Sequence, residues 1–314
     1  MYPNTYEKII YNLCKKHQIS IQKIGDESIY KLIKDNSMHF IWSRRFDINT
    51  TLACRIADNK YATYLVLNTS GIPTVPCIKI PRIDTEDYSR LETSISQVCY
   101  EALDKFKSIV IKPNNSYEGT DVYKCDNLKD VEKVLFQIEK KYKYLIISPY
   151  IDATAEYRLF FLDNQILYAY KKVREYIICD GISTVGELLT HNNINISTIM
   201  PDICTQFDKK YPKDYRLQLN WKFNLSQGAN CMSIDDIDLY EELVKIAISS
   251  ANAINIRFAT IDVLVDKYGK KYVLEINAGV AMDQFIIKDP NGLETATAIY
   301  EQALISMFSD SCSL

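Results

Sequence analysis

The chain has 314 residues, 47% of them hydrophobic and 25% charged, with a formal net charge of −3 and a pI near 5.8. That length holds one large domain or two to three lobes, and no basic excess marks a nucleic-acid surface. The nine cysteines are scattered without a CxxC pair, and the three histidines have no ligand-spaced neighbours, which argues against a disulfide frame, a zinc knuckle and Ser/Cys–His catalysis. The start, "MYPNTYEKIIYNLCKK", is too polar for a signal peptide, and no run reaches the roughly 18 apolar residues of a membrane span; a reduced, cytosolic setting is expected.

Residues 3–17 carry apolar positions at helical spacing, and "ISIQKI" reads as a short strand. "TTLACRIADNKYATYLVLNTSGIP" reads as one helix, capped by Thr50 or Thr51, closed by Gly71 and stopped by Pro73. "TVPCIKI" resumes as strand and residues 91–106 as helix. "SIVIKPNNSYEGTDVYKC" is strand, polar loop, strand; a helix follows at about 127–141, then the strand "YLIISPYI". "EYRLFFLDNQILYAYKKV" is a hairpin turning at Asp163-Asn164. "CDGISTVGELL" turns into a short helix, residues 191–218 stay unassigned, and 235–254 and 291–308 are helices around a second hairpin, "FATIDVLVDKYGKKYVLEIN". Helices mixed with antiparallel hairpins indicate α+β lobes rather than a doubly wound sheet.

The second hairpin carries the most chemistry. A turn at Lys267-Tyr268-Gly269-Lys270 sets Asp266 opposite Lys271 and Asp262 opposite Glu275. Opposed side chains on an antiparallel pair have Cβ atoms about 4.5–5.5 Å apart, and like charges that close destabilise a sheet unless something positive lies between them. Asn277 follows Glu275 by two and shares its face. Two carboxylates and an amide oxygen are hard ligands, suited to Mg²⁺ or Mn²⁺ rather than zinc. A solvent-facing strand edge with Lys270 and Lys271 as partners fits the same spacing.

Two further stretches bear on phosphate and nucleobase. Lys112 ends an apolar strand, where a buried ammonium needs an anionic partner. The loop after it, with Asn114, Asn115, Ser116 and Gly119, can turn backbone N–H groups toward phosphate oxygens; an exposed strand terminus reads the same way. "LIISPYIDATAEYRLFF" breaks at Pro149, leaving backbone groups for an adenine edge and Glu156 for ribose hydroxyls, or is an ordinary strand-to-loop transition.

In order, "ADNKYATYLVLNTSGIPTV", "IVIKPNNSYEGTDVY", "LIISPYIDATAEYRLFFLDNQILYAYKKVREYIICDGISTVGELL", "NWKFNLSQGAN" and "TIDVLVDKYGKKYVLEINAGV" resemble the ATP-grasp ligases over about residues 57–285. "CDGISTVGELL" followed by "NLSQGA" resembles the cyanophycin synthetase and bifunctional glutathione synthetase branch. The resemblance implies an α+β ATP-grasp fold in which two antiparallel-sheet lobes clamp ATP. It divides the chain into a short N-terminal α/β segment, 1–55, and an ATP-grasp domain, 56–314, with a lid at about 80–150 and a catalytic lobe at about 151–314. By position it assigns Lys60 and Lys112, with Ser116 and Gly119 of the 114–121 loop, to the ATP phosphates. The segment Ile147 to Ile151, with Ser148, Tyr150 and Ile151, falls to adenine, Glu156 to ribose, and Asp262, Glu275 and Asn277 to two magnesium ions. Arg158, Lys172 and Asn224 fall near the reacting phosphoryl group or the acceptor.

The function so implied is ATP-dependent joining of a carboxylate to an amine through an acyl phosphate, on an amino acid or short peptide, by an enzyme whose relatives are often dimers or tetramers. The chain departs from the pattern in its single lid glycine, Gly119, in "ISPYI" without a Glu, and in "NAGVAMD" where relatives have Pro-Gly after "EIN". Those departures keep open a nucleotide-binding module without turnover; a kinase-like enzyme that stops at phosphorylation is a third reading. Arg44 and Arg45 in "IWSRRFDIN" suit a substrate carboxylate or a solvated loop.

Overall fold

Asn4 accepts a hydrogen bond from the Glu7 amide and Glu7 returns one from the Asn4 amide, a capping box that starts the helix Thr5–Lys16 in the computed structural model. The structure describes residues 4–81, 95–116, 119–138 and 140–309; positions 91–94 of the expected helix and 117–118 of the expected loop lie outside them. The buried face of the first helix packs on an antiparallel meander of β1 (Ser20–Ile24), β2 (Ile29–Lys34), β3 (Ser37–Trp42) and β4 (Arg45–Phe46). The N-terminal segment is therefore α+β, not the α/β segment the sequence predicts. Its last three strands escape pattern reading because Ile33, Met38, Phe40 and Trp42 are exposed, so apolar residues occupy both faces and blur the period of two. The inner face, Tyr30, Leu32, Ile41 and Phe46, shares one core with Tyr300, Leu304 and Met307 of the closing helix Gly292–Ser309.

The single helix expected over 51–69 is two, Thr51–Ala57 and Lys60–Thr69. Asn59 caps the second, its side-chain oxygen accepting the Ala62 amide at 3.0 Å. An Asn that satisfies a helix N-terminus competes with continued helix, and here it wins. The break sets Lys60 at the first position of a helix that faces the cavity described below.

A second sheet holds β5 (Ile78–Pro81), β6 (Ile109–Pro113), β7 (Tyr123–Cys125) and β8 (Tyr144–Pro149) in the order β5-β8-β6-β7, all antiparallel. Helices Ile95–Phe106 and Leu128–Ile138 cover one face, over Ile109, Ile111 and Ile147. The alternate residues, Val110, Lys112 and Ser148, turn to the cavity.

β9 (Ala153–Leu162) and β10 (Gln165–Val173) form the expected hairpin, with Asp163 and Asn164 both at positive φ, +44° and +66°. Residues 191–218, unassigned from sequence, belong to a small satellite. There β11 (Tyr176–Ile178) pairs β12 (Arg216–Gln218), and the capped helix Val185–His191 buries Leu188 and Leu189 beside Ile203 and Leu219.

β13 (Asn230–Met232), β14 (Phe258–Asp266) and β15 (Lys271–Asn277) complete a central antiparallel sheet, β13-β10-β9-β14-β15. One face is apolar: Leu159, Phe161, Ile261, Val263 and Val273 pack under the helix Ile237–Ala253 and beside Ala53 and Leu67. A one-residue slip would turn such residues into the cavity, at about 1.5–3 kcal/mol each, so this face fixes the register of the polar one.

The β14–β15 turn differs from the expected one. Asp266 donates its amide to the Lys270 carbonyl at 3.0 Å, so the loop is Lys267–Gly269, with Gly269 at φ +80°, and Val265 rather than Asp266 faces Lys271. Leu274 is then an extra residue between Val273 and Glu275, a bulge that restores Asp262 opposite Glu275.

Candidate active site

The polar face of the central sheet carries side chains in transverse rows. Tyr170 on β10, Arg158 on β9, Asp262 on β14 and Glu275 on β15 are successive register partners, four strands deep. The neighbouring rows are Lys172, Glu156 and Leu264 on one side, and Tyr168, Phe160, Thr260 and Asn277 on the other. These rows, apart from Tyr168 and Phe160, which join the apolar core, floor a cavity of about 700 Å³.

Asp262, 1% exposed, is held by Arg158 from Nε at 2.8 Å and Nη2 at 2.6 Å, and by Lys172 at 3.2 Å. Lys172 also donates to Glu156. Burial alone pushes a carboxyl up, but Arg158 and Lys172 outweigh it and hold Asp262 well below the usual carboxylate range. Glu156 goes the other way: burial raises it more than Lys172 lowers it, and Asp262 adds to the rise. Glu275 is looser, with Asn277 Nδ2 at 3.2 Å and Lys60 at 4.0 Å. The sequence expects a divalent ion between the opposed carboxylates; here guanidinium and ammonium groups already balance Asp262.

The other wall supplies Lys112. Its side chain is nine-tenths covered and forms neither a hydrogen bond nor an ion pair among the described residues. Burial, reinforced by Lys60, lowers its pKa from the usual 10.5. Lys60 donates to the Ser116 carbonyl at 2.6 Å, and Lys222 lies 3.5 Å from the Gly119 carbonyl, so two lysines hold the described ends of the 116–119 loop. Gly119, at φ +67°, packs on Asn224: a Cβ there would lie 2.8 Å from Asn224 Nδ2. Asn224 itself caps the turn Leu225–Gln227 through its side-chain oxygen, which accepts the Ser226 amide.

Ser148, Tyr150 and Ile151 line the cavity where Phe223 and Leu264 make a small apolar cluster with Ala153 and Val75. The Tyr150 amide is not free for a base, because it donates to the Ser108 carbonyl at 2.9 Å. Tyr150 stands edge-on to Trp221, and Arg174 lies over the Phe223 ring at 4.2 Å. Glu156, expected at a ribose with a free carboxylate, has that carboxylate engaged by Lys172. At the opposite end, Arg44 pairs with Asp283 and Arg45 with Asp58.

All fourteen residues to which the resemblance individually assigns a role line or floor this one cavity, with Asn277 one row beyond the Asp262–Glu275 pair; Asn114 and Asn115 are not on its wall. Missed from sequence were Arg174, Lys222, Tyr170 and Asp283. Arg174 continues the period of two from Lys172, and Lys222 lies inside the quoted "NWKFNLSQGAN"; those were the available signals. Tyr170 and Asp283 gave none, since a strand Tyr and an Asp at the start of a helix are common anywhere.

Among the described residues on the cavity wall, eight cations meet four acids: Arg44, Arg45, Lys60, Lys112, Arg158, Lys172, Arg174 and Lys222 against Glu156, Asp262, Glu275 and Asp283. A formal excess of four positive charges, concentrated in a chain of net charge −3, suits a polyanion. The donor set for a divalent ion is Asp262, Glu275 and the Asn277 amide; no group of three or more His, Cys, Asp or Glu gathers among the described residues. The fit is good for a hard ion: Glu275 opens to the cavity, and turning the Asn277 amide over presents its oxygen on the same face.

Two layered antiparallel sheets facing each other across a charged cleft define an ATP-grasp fold, and the comparisons with known proteins agree. Residues 216–301 match the RimK-like ATP-grasp domain. The bifunctional glutathione biosynthesis protein GshAB of Pasteurella multocida is 22% identical over 233 residues, covering 67% of this chain and 29% of that protein. GshAB of Desulfotalea psychrophila is 24% identical over 244 residues, covering 71% and 30%. The chain thus spans less than a third of the length of these curated relatives. A bifunctional glutathione synthetase structure from P. multocida superposes with a TM-score of 0.56 at 16% identity, over 95% of this chain and 44% of that one. A D-alanine–D-alanine ligase from Bacillus anthracis gives 0.56 at 16%, over 83% and 69%. The chain has the ATP-grasp fold, and its residues 216–301 are similar to the RimK-like domain of that family. No helix among its described residues is long and apolar enough to cross a membrane.

Proposed function

We propose that the chain is an ATP-dependent ligase that joins a carboxylate to an amine, on an amino acid or short peptide, through an acyl phosphate. One observation carries the reading: Lys112, a buried ammonium with no counter-ion among the described residues, faces the same cavity as the opposed Asp262 and Glu275. An unbalanced buried cation is costly until an anion arrives. A nucleoside triphosphate laid over the floor supplies that anion. The match of residues 216–301, and similar proteins named for glutathione biosynthesis and for D-alanine–D-alanine ligation, support a ligase.

In this reading the adenine lies against Tyr150, Ile151 and Phe223, and the phosphates against Lys60, Lys112 and the 114–121 loop. Asp262, Glu275 and Asn277 would hold divalent ions, which supply charge neutralisation on the phosphates when bound. The substrate carboxylate attacks the γ-phosphoryl group, and ADP leaves. Arg158 and Lys172, fixed by Asp262 and Glu156, spread the charge of the transferring group without having to reorganise. The amine then adds to the acyl carbon and inorganic phosphate departs, with one proton lost from the nitrogen. The loop, held at Ser116 and Gly119 by Lys60 and Lys222, keeps water from the acyl phosphate.

A second reading, a nucleotide-binding relative without turnover, draws on one observation: both Asp262 oxygens are already engaged by side-chain cations. Incubation with Mg-ATP and mixed amino acids separates the two. Release of ADP and phosphate that depends on added amino acids is the result expected of the ligase. Tight Mg-ATP binding with no release from any pool would leave the second reading standing.

A further inference from the structure

Ile24, Ile29, Trp42 and Arg45 are successive register partners across the four strands of the N-terminal sheet, so their side chains share one face. The next pairs on that face are Lys31 with Phe40, then Ile33 with Met38. It is the face turned away from the core, because Tyr30, Leu32 and Ile41 take the alternate positions and are buried. An antiparallel sheet with one packed face ordinarily gives polar residues to the other. Here six large apolar side chains stand there, with Trp42 57%, Met38 52% and Phe40 38% exposed. They begin at the lip of the cavity. Ser43 and Arg44 join β3 to β4, Ser43, Arg44 and Arg45 line the cavity, and the Val280 amide donates to the Arg44 carbonyl at 3.1 Å, fixing this hairpin tip in the wall. From the tip, Trp42, Phe40 and Met38 lead outward along β3 in two-residue steps of about 7 Å.

Size and charge say what covers this strip. At about 200 Å² for a fully exposed large side chain, it presents about 450 Å² of apolar surface. That is as large as the largest patch on a monomer, yet about half of the roughly 800 Å² that each partner gives to a standard interface. A two-fold contact centred here would also bury Lys31 against its own equivalent, at the cost of two desolvated like charges. A single extended chain needs less area and leaves Lys31 room to reach water. The nucleotide does not explain the strip, because in the reading above it lies toward Leu264 and the charged row, away from the Ser43–Arg45 end. We propose that the strip binds an apolar, extended peptide segment of a substrate whose reacting end lies in the cavity. The proposal rests on the ligase reading and narrows its substrates to peptides of about six residues or more, with apolar side chains at alternate positions that meet Trp42, Phe40 and Met38. A free amino acid in the cavity reaches none of the three.

Binding is measured on the full chain with Mg²⁺ and a non-hydrolysable ATP analogue, by calorimetry. The probes are a hexapeptide of alternating Leu and Ser, the all-Ser hexapeptide, and both with each natural residue added at either end. At least one Leu-Ser peptide is expected to bind about tenfold or more tightly than its all-Ser counterpart. The double substitution Trp42→Ser and Phe40→Ser is expected to abolish that difference; both positions are exposed, so the melting temperature should hold. Equal binding of the two series, no binding of either, or a difference that survives in the double variant would overturn the proposal. A dimer of the parent chain that the double variant dissolves, seen by sedimentation, would give the face to a second copy and overturn it as well. ADP release, assayed in parallel with mixed amino acids and with the same peptides, reports on the ligase reading by itself. Release without a Leu-Ser preference in binding sinks only the peptide strip, whereas a preference without release from any pool sinks the ligase.

Discussion

Asp262 stands directly opposite Glu275 through two irregularities that cancel. The three-residue loop Lys267–Gly269 moves the β14–β15 register by one, and the extra Leu274 moves it back. The bulge also brings Leu274 to the cavity wall next to Glu275. The two carboxylates share a face yet sit in unlike surroundings, and their roles separate accordingly.

Asp262→Asn leaves Arg158 without its buried counter-ion and Lys172 with Glu156 alone, so stability is expected to fall by about 3–5 kcal/mol. Glu275→Gln touches a half-buried group whose nearest cation, Lys60, is 4.0 Å away, and is expected to cost under about 1 kcal/mol. Both are expected to lower ADP release by about 10²-fold or more. Urea melts run beside the ADP assay test this; equal destabilisation by the two variants would contradict the unequal environments.

Lys112→Met removes a buried ammonium that has no ion-pair partner among the described residues, and keeps its apolar stem. The variant is expected to be more stable than the parent by about 1 kcal/mol while its ATP affinity falls about tenfold or more. Thermal melts and nucleotide titration read the two effects independently. A loss of stability would mean that Lys112 has a counter-ion in the folded state.

Lys112 also sets a pH dependence. Its folded pKa lies below the 10.5 of an ordinary lysine because burial, then Lys60, disfavours the charge. Between the two values the unfolded chain binds more protons than the native one, so this group makes stability rise with pH through that window. Phosphates beside Lys112 favour its charged form, so nucleotide binding in the same window is expected to take up protons. Calorimetry in two buffers of different ionisation enthalpy measures the uptake, and Lys112→Met should abolish most of it.

Gly119→Ala puts a side chain where φ is +67° and where Asn224 Nδ2 would lie 2.8 Å away. The left-handed backbone alone costs about 1–2 kcal/mol with a Cβ, and a loop relieves it by leaving its place. ADP release is expected to drop about tenfold with little change in the main melting transition. Limited proteolysis near residue 119 should quicken; resistance equal to the parent would show that the loop tolerates the substitution.

Much of the architecture was written locally. The Asp163-Asn164 turn, the alternation along β9 and β14, and the cap at Thr50 act over a few residues, so short-range pattern and turn chemistry suffice to read them. The face shared by Glu275 and Asn277 follows from the period of two in the same way, whereas Asp262 joins it only through the Leu274 bulge. Local pattern failed where a polar side chain had competing uses, as at Asn59, which split a helix, and where apolar residues covered both faces, as in β2 and β3.

What tertiary structure decided was which charges meet. Arg158 and Asp262 are 104 positions apart and Arg44 and Asp283 are 239 apart, yet each pair is in contact. No spacing rule reaches that far, because such partners are chosen by the packing of whole sheets on their apolar faces. The sequence by itself therefore determined which side chains look into the cleft. Only the folded chain determined which of them arrive already neutralised and which, like Lys112, meet no anion among the described residues, because burial and counter-ion distance are properties of the assembled molecule.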